Sequence, residues 1–272
     1  MLRINQKASY MADTENRFHP ASIMHKDGLD KFKKKLTPSL IRKHHRKRRD
    51  LKIRKEFEGL SNKDVFEKIY DERRWGAPSD RTGKYSSGDG SRNRHIVTQY
   101  VDAIRYFISQ QQDMRSALDL GCGDFFVGAQ LVSLFDRYIA ADVASNILAQ
   151  NERLYGHTKA QFIQLDITRD EIPPADVVFV RQVLQHLSNS EIAKFVSIIQ
   201  GKCTMLIVTE SLSKSLFFKP NKDLFTGPNI RIHMKSGVVL EKPPFNLPCQ
   251  DVQTLVEITH GKELLVTKAY LF

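Results

Sequence analysis

Cysteine is scarce in this chain: Cys122, Cys203 and Cys249 are its three, and they stand far apart. An odd, scattered set argues against a disulfide framework, and equally against a zinc cage, whose ligands cluster. These cysteines read as reduced thiols, which points to a cytoplasmic protein. Long apolar runs are missing too. No stretch approaches the ~20 residues of a membrane span, and the mean hydropathy of −0.39 describes a soluble chain. The opening M-L-R-I-N-Q-K-A-S-Y lacks the continuous apolar core of a secretory signal, and Met11 is a second candidate start. Internal repeats are absent, and tryptophan occurs once, at Trp75.

Acidic excess is also absent, since the formal net charge is +11 over 272 residues. The excess is not spread evenly. Residues 26–55 hold fourteen Lys or Arg against three Asp, which leaves 28 of each sign in the rest of the chain. The neutral remainder does not have the basic surface of a nucleic-acid-binding pocket. Residues 1–25 are polar and aperiodic and are expected to be poorly ordered. The run from Lys31 to Phe57 has too thin an apolar stripe for a strong core helix. It reads either as a solvated basic arm or as a docking arm for an anionic partner, namely a phospholipid-linked glycan, an inner membrane surface or RNA. Residues 1–60 are therefore a basic, partly helical N-terminal extension, and residues 61–272 the main domain.

What the domain has is a glycine-rich turn. In S-A-L-D-L-G-C-G-D-F-F-V-G-A-Q-L, residues 116–131, a short apolar run carries Asp119 and meets Gly121 and Gly123. The pattern predicts a buried strand, a tight turn and the start of a helix. Glycine permits positive φ and close approach of a ligand, and free N–H groups at the turn and helix start would face that ligand. Nineteen residues past Gly123, Asp142 closes a second apolar run, where an acid can accept both hydroxyls of a ribose.

Further strands are expected over Q-F-I-Q-L-D, ending at Asp166, over 176–180, over 204–209, and as a closing antiparallel pair at 254–259 and 264–271. Helices are expected from a capped start at Ser61 with a capping-box acid at Asp64, over 93–111, over 145–155, and from the capping box Ser188-Asn-Ser-Glu191. Between Trp75 and Ser91 lies a loop dense in Gly, Ser and Pro, whose Ser86, Ser87, Gly88, Gly90 and Ser91 suit a carboxylate.

With these stations in place, residues 86–272 resemble class I S-adenosylmethionine-dependent methyltransferases. The likeness rests on L-D-L-G-C-G-D at 118–124, Asp142, L-D-I at 165–167 and V-V-F-V-R-Q-V-L-Q-H-L at 177–187. W-G…S-S-G-D-G-S and R-Q-V-L-Q-H-L make it similar, more narrowly, to bacterial small-molecule and polysaccharide-cluster methyltransferases. The resemblance implies an α/β, Rossmann-like, doubly wound seven-stranded sheet, mostly parallel with an antiparallel last strand. It implies S-adenosyl-L-methionine as cofactor, with Asp119, Gly121 and Gly123 about the methionine moiety, Asp142 on the ribose, and Asp166 with Ile167 at the adenine. Arg181 and Gln182 would close the pocket, with Ser87, Gly88 and Ser91 contributing from the loop. Phe125 and Phe126, where relatives carry a small residue, would cover the methionine chain or shape the acceptor pocket.

A hydroxyl acceptor gains from a general base, worth typically 10²–10⁴-fold. His186 is the first candidate for that base and Glu210 the second; a purely structural His186 is the competing account. His233 and Pro243-Pro244-Phe245 are candidate acceptor-pocket or lid residues. The resulting expectation is O-methylation of a sugar, glycan or other small-molecule hydroxyl. The alternatives are an RNA methyltransferase gripping phosphates with the basic arm, and a nicotinamide-dependent oxidoreductase. The third glycine of that last fingerprint is displaced here to Gly128, and no N-P-P-Y-type tetrapeptide follows the fourth strand. A non-catalytic scaffold is opposed by the intact cofactor stations.

Overall fold

A computed structural model of the chain describes residues 48, 50–77 and 83–272. The extension at 1–25 and most of the basic arm fall outside the described residues. The chain divides into two compact units, 1–52 and 53–272. In the first, the described residues are helical. The second takes in residues 53–60, and Phe57 is part of its core.

Seven strands form one sheet in the order β3-β2-β1-β4-β5-β7-β6. They are β1 (Ser116–Leu120), β2 (Arg137–Asp142), β3 (Ala160–Gln164), β4 (Ala175–Arg181), β5 (Cys203–Ser213), β6 (Asp251–His260) and β7 (Glu263–Leu271). The first five run parallel, and β7 inserts antiparallel between β5 and β6. The expected sheet is therefore observed. Boundaries differ: β3 stops at Gln164, leaving Asp166 two residues beyond it, β5 runs on to Ser213 and so takes in Glu210, and β6 begins at Asp251.

Period-2 alternation explains why the central strands read as continuous apolar runs, because both faces are covered. Leu118, Leu120, Val178, Val180, Leu206 and Val208 face one core. That core is covered by α1 (Asn62–Asp71), α4 (Ser145–Tyr155) and α5 (Asn189–Ile199). Ala117, Val177, Phe179, Met205 and Ile207 face the other, under α3 (Arg94–Ser109), which the single turn α2 (Asp89–Arg92) precedes. Three helices begin at side-chain caps, and of the two capping boxes expected, the one at Ser188 is complete. Ser61 Oγ accepts the Asp64 N–H, Asn93 Oδ1 accepts those of His95 and Ile96, and Ser188 and Glu191 complete a capping box.

The helix expected after β1 does not form. Two 3₁₀ turns, Gly128–Gln130 and Val132–Leu134, occupy its place. Phe125 is the physical reason. It sits in the left-handed region at φ 55° and is wholly buried, edge-on to Tyr138, Tyr155 and Phe162 at 5.9, 5.4 and 4.9 Å between ring centroids. Pinned in the left-handed region, Phe125 interrupts the right-handed backbone that an α-helix needs. Phe126 lies beneath the Arg92 guanidinium instead, and neither ring lines the ligand cavity described below.

Truncation of this aromatic anchor tests the account. Phe125→Ala is expected to lower unfolding free energy by about 3–5 kcal/mol, the cost of emptying a large buried ring site. Denaturant titration with an unchanged m-value would check it.

Candidate functional site

The carboxyl ends of β1 to β4 and the loop before α3 surround one cavity of about 140 Å³. Asp119, Gly121, Gly123, Asp142, Asp166, Ile167, Arg181, Gln182, Ser87, Ser91 and His186 all line it. Gly88 does not; it lies under Trp75, at φ 92°. Glu210 is also outside, lining a smaller separate cavity. His233 and Pro243-Pro244-Phe245 reach neither.

Gly121 and Gly123 have φ of 71° and 55°, and a Cβ on Gly123 would stand 2.1 Å from Ser87 Oγ. Both glycines are thus required by conformation and by contact. The expected free N–H groups are not there. Gly121 and Cys122 donate to the Ala141 carbonyl, Gly123 to Asp142 Oδ2 at 3.0 Å, Asp124 to Ser87 Oγ at 2.7 Å, and Phe125 to the Cys122 carbonyl. The turn is wired to its neighbours and is no open anion cradle.

Asp142 is held by two backbone donors, Gly123 N–H on Oδ2 and Ala144 N–H on Oδ1, each at 3.0 Å. Each oxygen keeps a lone pair for a further donor. Burial pushes its carboxyl up to about 6, against the pull of those N–H groups. Asp119 is pushed up to about 7 by burial, opposed by the Tyr138 hydroxyl that donates to it at 3.2 Å and by Arg181. Asp166 is half-buried and already accepts from Thr168 N–H and Oγ1 and from Asn62 Nδ2. Arg181 donates to the Gly90 carbonyl at 3.0 Å and to Ser91 Oγ at 3.4 Å, over the Tyr100 ring. Its Nε is buried and has no hydrogen-bond partner.

His186 belongs to a 3₁₀ turn, Leu184–His186, that follows β4. Its ring lies 4.8 Å from that of Trp75, and its Nδ1 is buried without a hydrogen-bond partner. Burial lowers the imidazole to about 4, against the Asn229 and Gly227 backbone. Behind this turn, Glu210 Oε1 accepts the Leu184 N–H at 3.0 Å. Arg231, wholly buried, donates to the Leu184, Gln185, Leu187 and Lys222 carbonyls and to Asn189 Oδ1. The pair braces the turn from the side away from the cavity.

Several lining residues escaped the sequence reading. Asn62, Phe66 and Tyr70 enter from α1, and Tyr100 from α3. They sit on the apolar faces of amphipathic helices, where spacing marks them as core. Asp124 pairs with Arg92 at 3.0 Å and accepts the Ser87 N–H, joining the loop to the glycine turn. Asn151, donating to the Gly123 carbonyl at 2.6 Å, and Gln150, bonded to Lys84 and Tyr85, fix the turn and the loop from α4. Two adjacent uncharged polar residues inside a helix were the available signal.

Residues 118–200 match the model of a family described as a methyltransferase domain. Over that stretch the chain is similar to a methyltransferase domain. No curated protein matches the chain. Among solved structures, an S-adenosylmethionine-dependent methyltransferase from Leishmania major is similar at 18% identity, with 64% of this chain and 73% of that one covered and a TM-score of 0.48. The methyltransferase domain of bacterial CtHen1 is similar at 15% identity, 66% and 99% coverage and a TM-score of 0.47. The N-methyltransferase NodS from Bradyrhizobium japonicum, solved with S-adenosyl-L-homocysteine, is similar at 11% identity, 65% and 88% coverage and a TM-score of 0.47.

The cavity is lined by chemistry that fits S-adenosylmethionine: Arg181 beside Ser91 is a cation that suits a carboxylate, and Asp142 is a doubly supported acid that suits hydroxyls. Two raised carboxyls also set a pH dependence. A buried acid whose folded pKa exceeds its unfolded value makes the folded state bind more protons, so stability falls as pH rises between the two values. For Asp119 that window runs from about 4 to about 7. Asp119→Asn is therefore expected to raise the melting temperature of the ligand-free protein at pH 8 and to flatten its decline above pH 5. Thermal scans of both proteins across that range measure it.

Proposed function

We propose that this methyltransferase transfers its methyl group to a hydroxyl of a sugar, glycan or other small molecule. The observation that carries the proposal is the convergence of Asp119, Asp142, Asp166 and Arg181 on one cavity, which Trp75 and His186 also line. S-adenosylmethionine supplies an activated methyl on a sulfonium, so alignment of an acceptor provides much of the rate, on the order of 7–11 kcal/mol at best. In our assignment Arg181, aided by Ser91, takes the cofactor carboxylate, with Ser87, Gly121 and Gly123 about its methionine chain. Asp119 serves its amino group, Asp142 the ribose hydroxyls, and Asp166 with Ile167 the adenine; Gln182 closes the pocket.

His186 is placed as the group that receives the acceptor's proton. An imidazole lowered to about 4 is neutral throughout the physiological range, so it is unprotonated when the acceptor arrives. Burial makes it a weaker base than an ordinary imidazole, whose pKa would suit neutral pH. Trp75, in ring contact with it, offers a flat apolar surface against which a sugar face can rest. Glu210, outside the cavity, is a positioning residue in this scheme. The neutral charge of the chain outside 26–55 agrees with an uncharged acceptor. The nicotinamide and RNA alternatives draw no support from the family match. The same proposal places the enzyme in the cytoplasm, in polysaccharide chemistry, with a peripheral location at the inner membrane surface through the basic arm.

Asp142→Ala is expected to weaken S-adenosylhomocysteine binding by ~100-fold or more, the loss of two hydrogen bonds to a charged group. Calorimetric titration reads this directly. His186→Ala should keep that affinity and lose ~10²–10⁴-fold in turnover. Transfer of labelled methyl to fractionated cell components, measured from pH 6 to 9, tests the role and the acceptor together. Full turnover by His186→Ala would remove the base, and label in RNA or protein would remove the glycan.

A further inference from the structure

After β5 the chain leaves the sheet at Ser213 and runs through Lys214-Ser-Leu-Phe-Phe-Lys219. Leu216 is 100% exposed and its neighbour Phe217 71%. A single exposed apolar side chain is ordinary; two large adjacent ones at a tip ask for a reason. The loop that carries them is built. Phe217 N–H donates to Ser215 Oγ at 3.2 Å, Phe218 N–H to the Ser215 carbonyl at 2.9 Å, and Lys219 N–H to the Lys235 carbonyl at 3.0 Å. Lys214 N–H reaches the Lys262 carbonyl at 3.2 Å, on the β6–β7 turn. Just beyond, buried Asn221 donates to the Val239, Lys242 and Pro243 carbonyls and accepts the Val239 N–H. The two side chains are thus held out in water by a fixed base.

The charge around them has one sign. Lys214 and Lys219 flank the tip, Lys235 sets its Nζ 4.7 Å from the Phe217 ring centroid, and the backbone bond to Lys214 brings Lys262 alongside. Residues 211–222 contain no acid. Of the acids at the margins, Asp223 already accepts the Asn189 and Leu224 N–H groups, and Glu263 stands opposite Ser213 in the β5–β7 pairing.

We propose that this lysine-collared Leu216–Phe217 tip docks the protein on an anionic lipid bilayer. A protruding apolar pair enters the boundary between head groups and acyl chains, and the surrounding ammonium groups meet lipid phosphates. A second copy of the chain fits poorly, because it brings the same lysines to the contact. The surface is separate from the methyl-transfer cavity, none of its residues lining that cavity.

The test uses the full chain with vesicles of phosphatidylcholine, alone or mixed with phosphatidylglycerol. Phe217→Trp, compared with the parent that carries only Trp75, reports on position 217 itself. The expected result is a blue shift and quenching by brominated acyl chains, with the anionic vesicles only. In co-sedimentation, Leu216→Ser/Phe217→Ser should lose at least ~10-fold in vesicle affinity, since apolar burial supplies the difference. Both proteins keep residues 1–55, so attraction through the basic arm is common to them. Unchanged S-adenosylhomocysteine affinity in the double variant shows that it is folded. Vesicle binding without any emission change at position 217, equal binding by the double variant, or concentration-dependent dimerisation through the tip would each overturn the proposal.

Discussion

The grip of two backbone N–H groups on Asp142 is the constraint on which the site depends. It joins the turn after β1 to the end of β2, and it does so through a carboxylate that burial works against. An unpaired charge at that depth would neutralise itself or draw in water. The supporting donors keep the acid usable, and Gly123 donates to it from a left-handed backbone. The side chain that any other residue would place there meets Ser87. Conformation, electrostatics and steric fit therefore converge on one glycine.

Around that grip the loops are fastened mostly by uncharged or backbone-directed bonds. Asn151 and Gln150 hold the turn and the loop before α3 from one side. Ser87 and Asp124 exchange N–H bonds across the cavity rim. Glu210 and Arg231 hold the turn bearing His186 through its N–H and carbonyl groups. Each such buried group left without its partner costs about 1–3 kcal/mol. That penalty makes the loop positions as definite as those of the strands, although the loops lack a regular hydrogen-bond ladder.

The sheet was legible because buried parallel strands leave apolar runs, and Ser188 and Glu191 announced their helix by chemistry local in sequence. The strand-end acids were legible for the same reason: an Asp closing an apolar run has little to do in a core. Two things were not legible. Phe125 looks like any residue of an amphipathic helix until its ring is seen among Tyr138, Tyr155 and Phe162, contacts that come from distant strands and helices. The brace of Arg231 is hidden likewise, since a fully buried arginine is satisfied by carbonyls more than forty residues away, and sequence shows only a charge in an irregular stretch. Glu210 earned attention as an acid after a strand; its neighbours turn it away from the cavity.

The occupied N–H groups of residues 121–125 have a consequence for selectivity among nucleotide-derived molecules. A dinucleotide presents its pyrophosphate to such a turn and needs hydrogens there. In this protein it would find them engaged and a carboxylate in their midst. A nucleoside with a free ribose brings hydrogens of its own and finds an acceptor. One wired turn thus offers a phosphate no free N–H group and keeps a carboxylate as acceptor for hydroxyls.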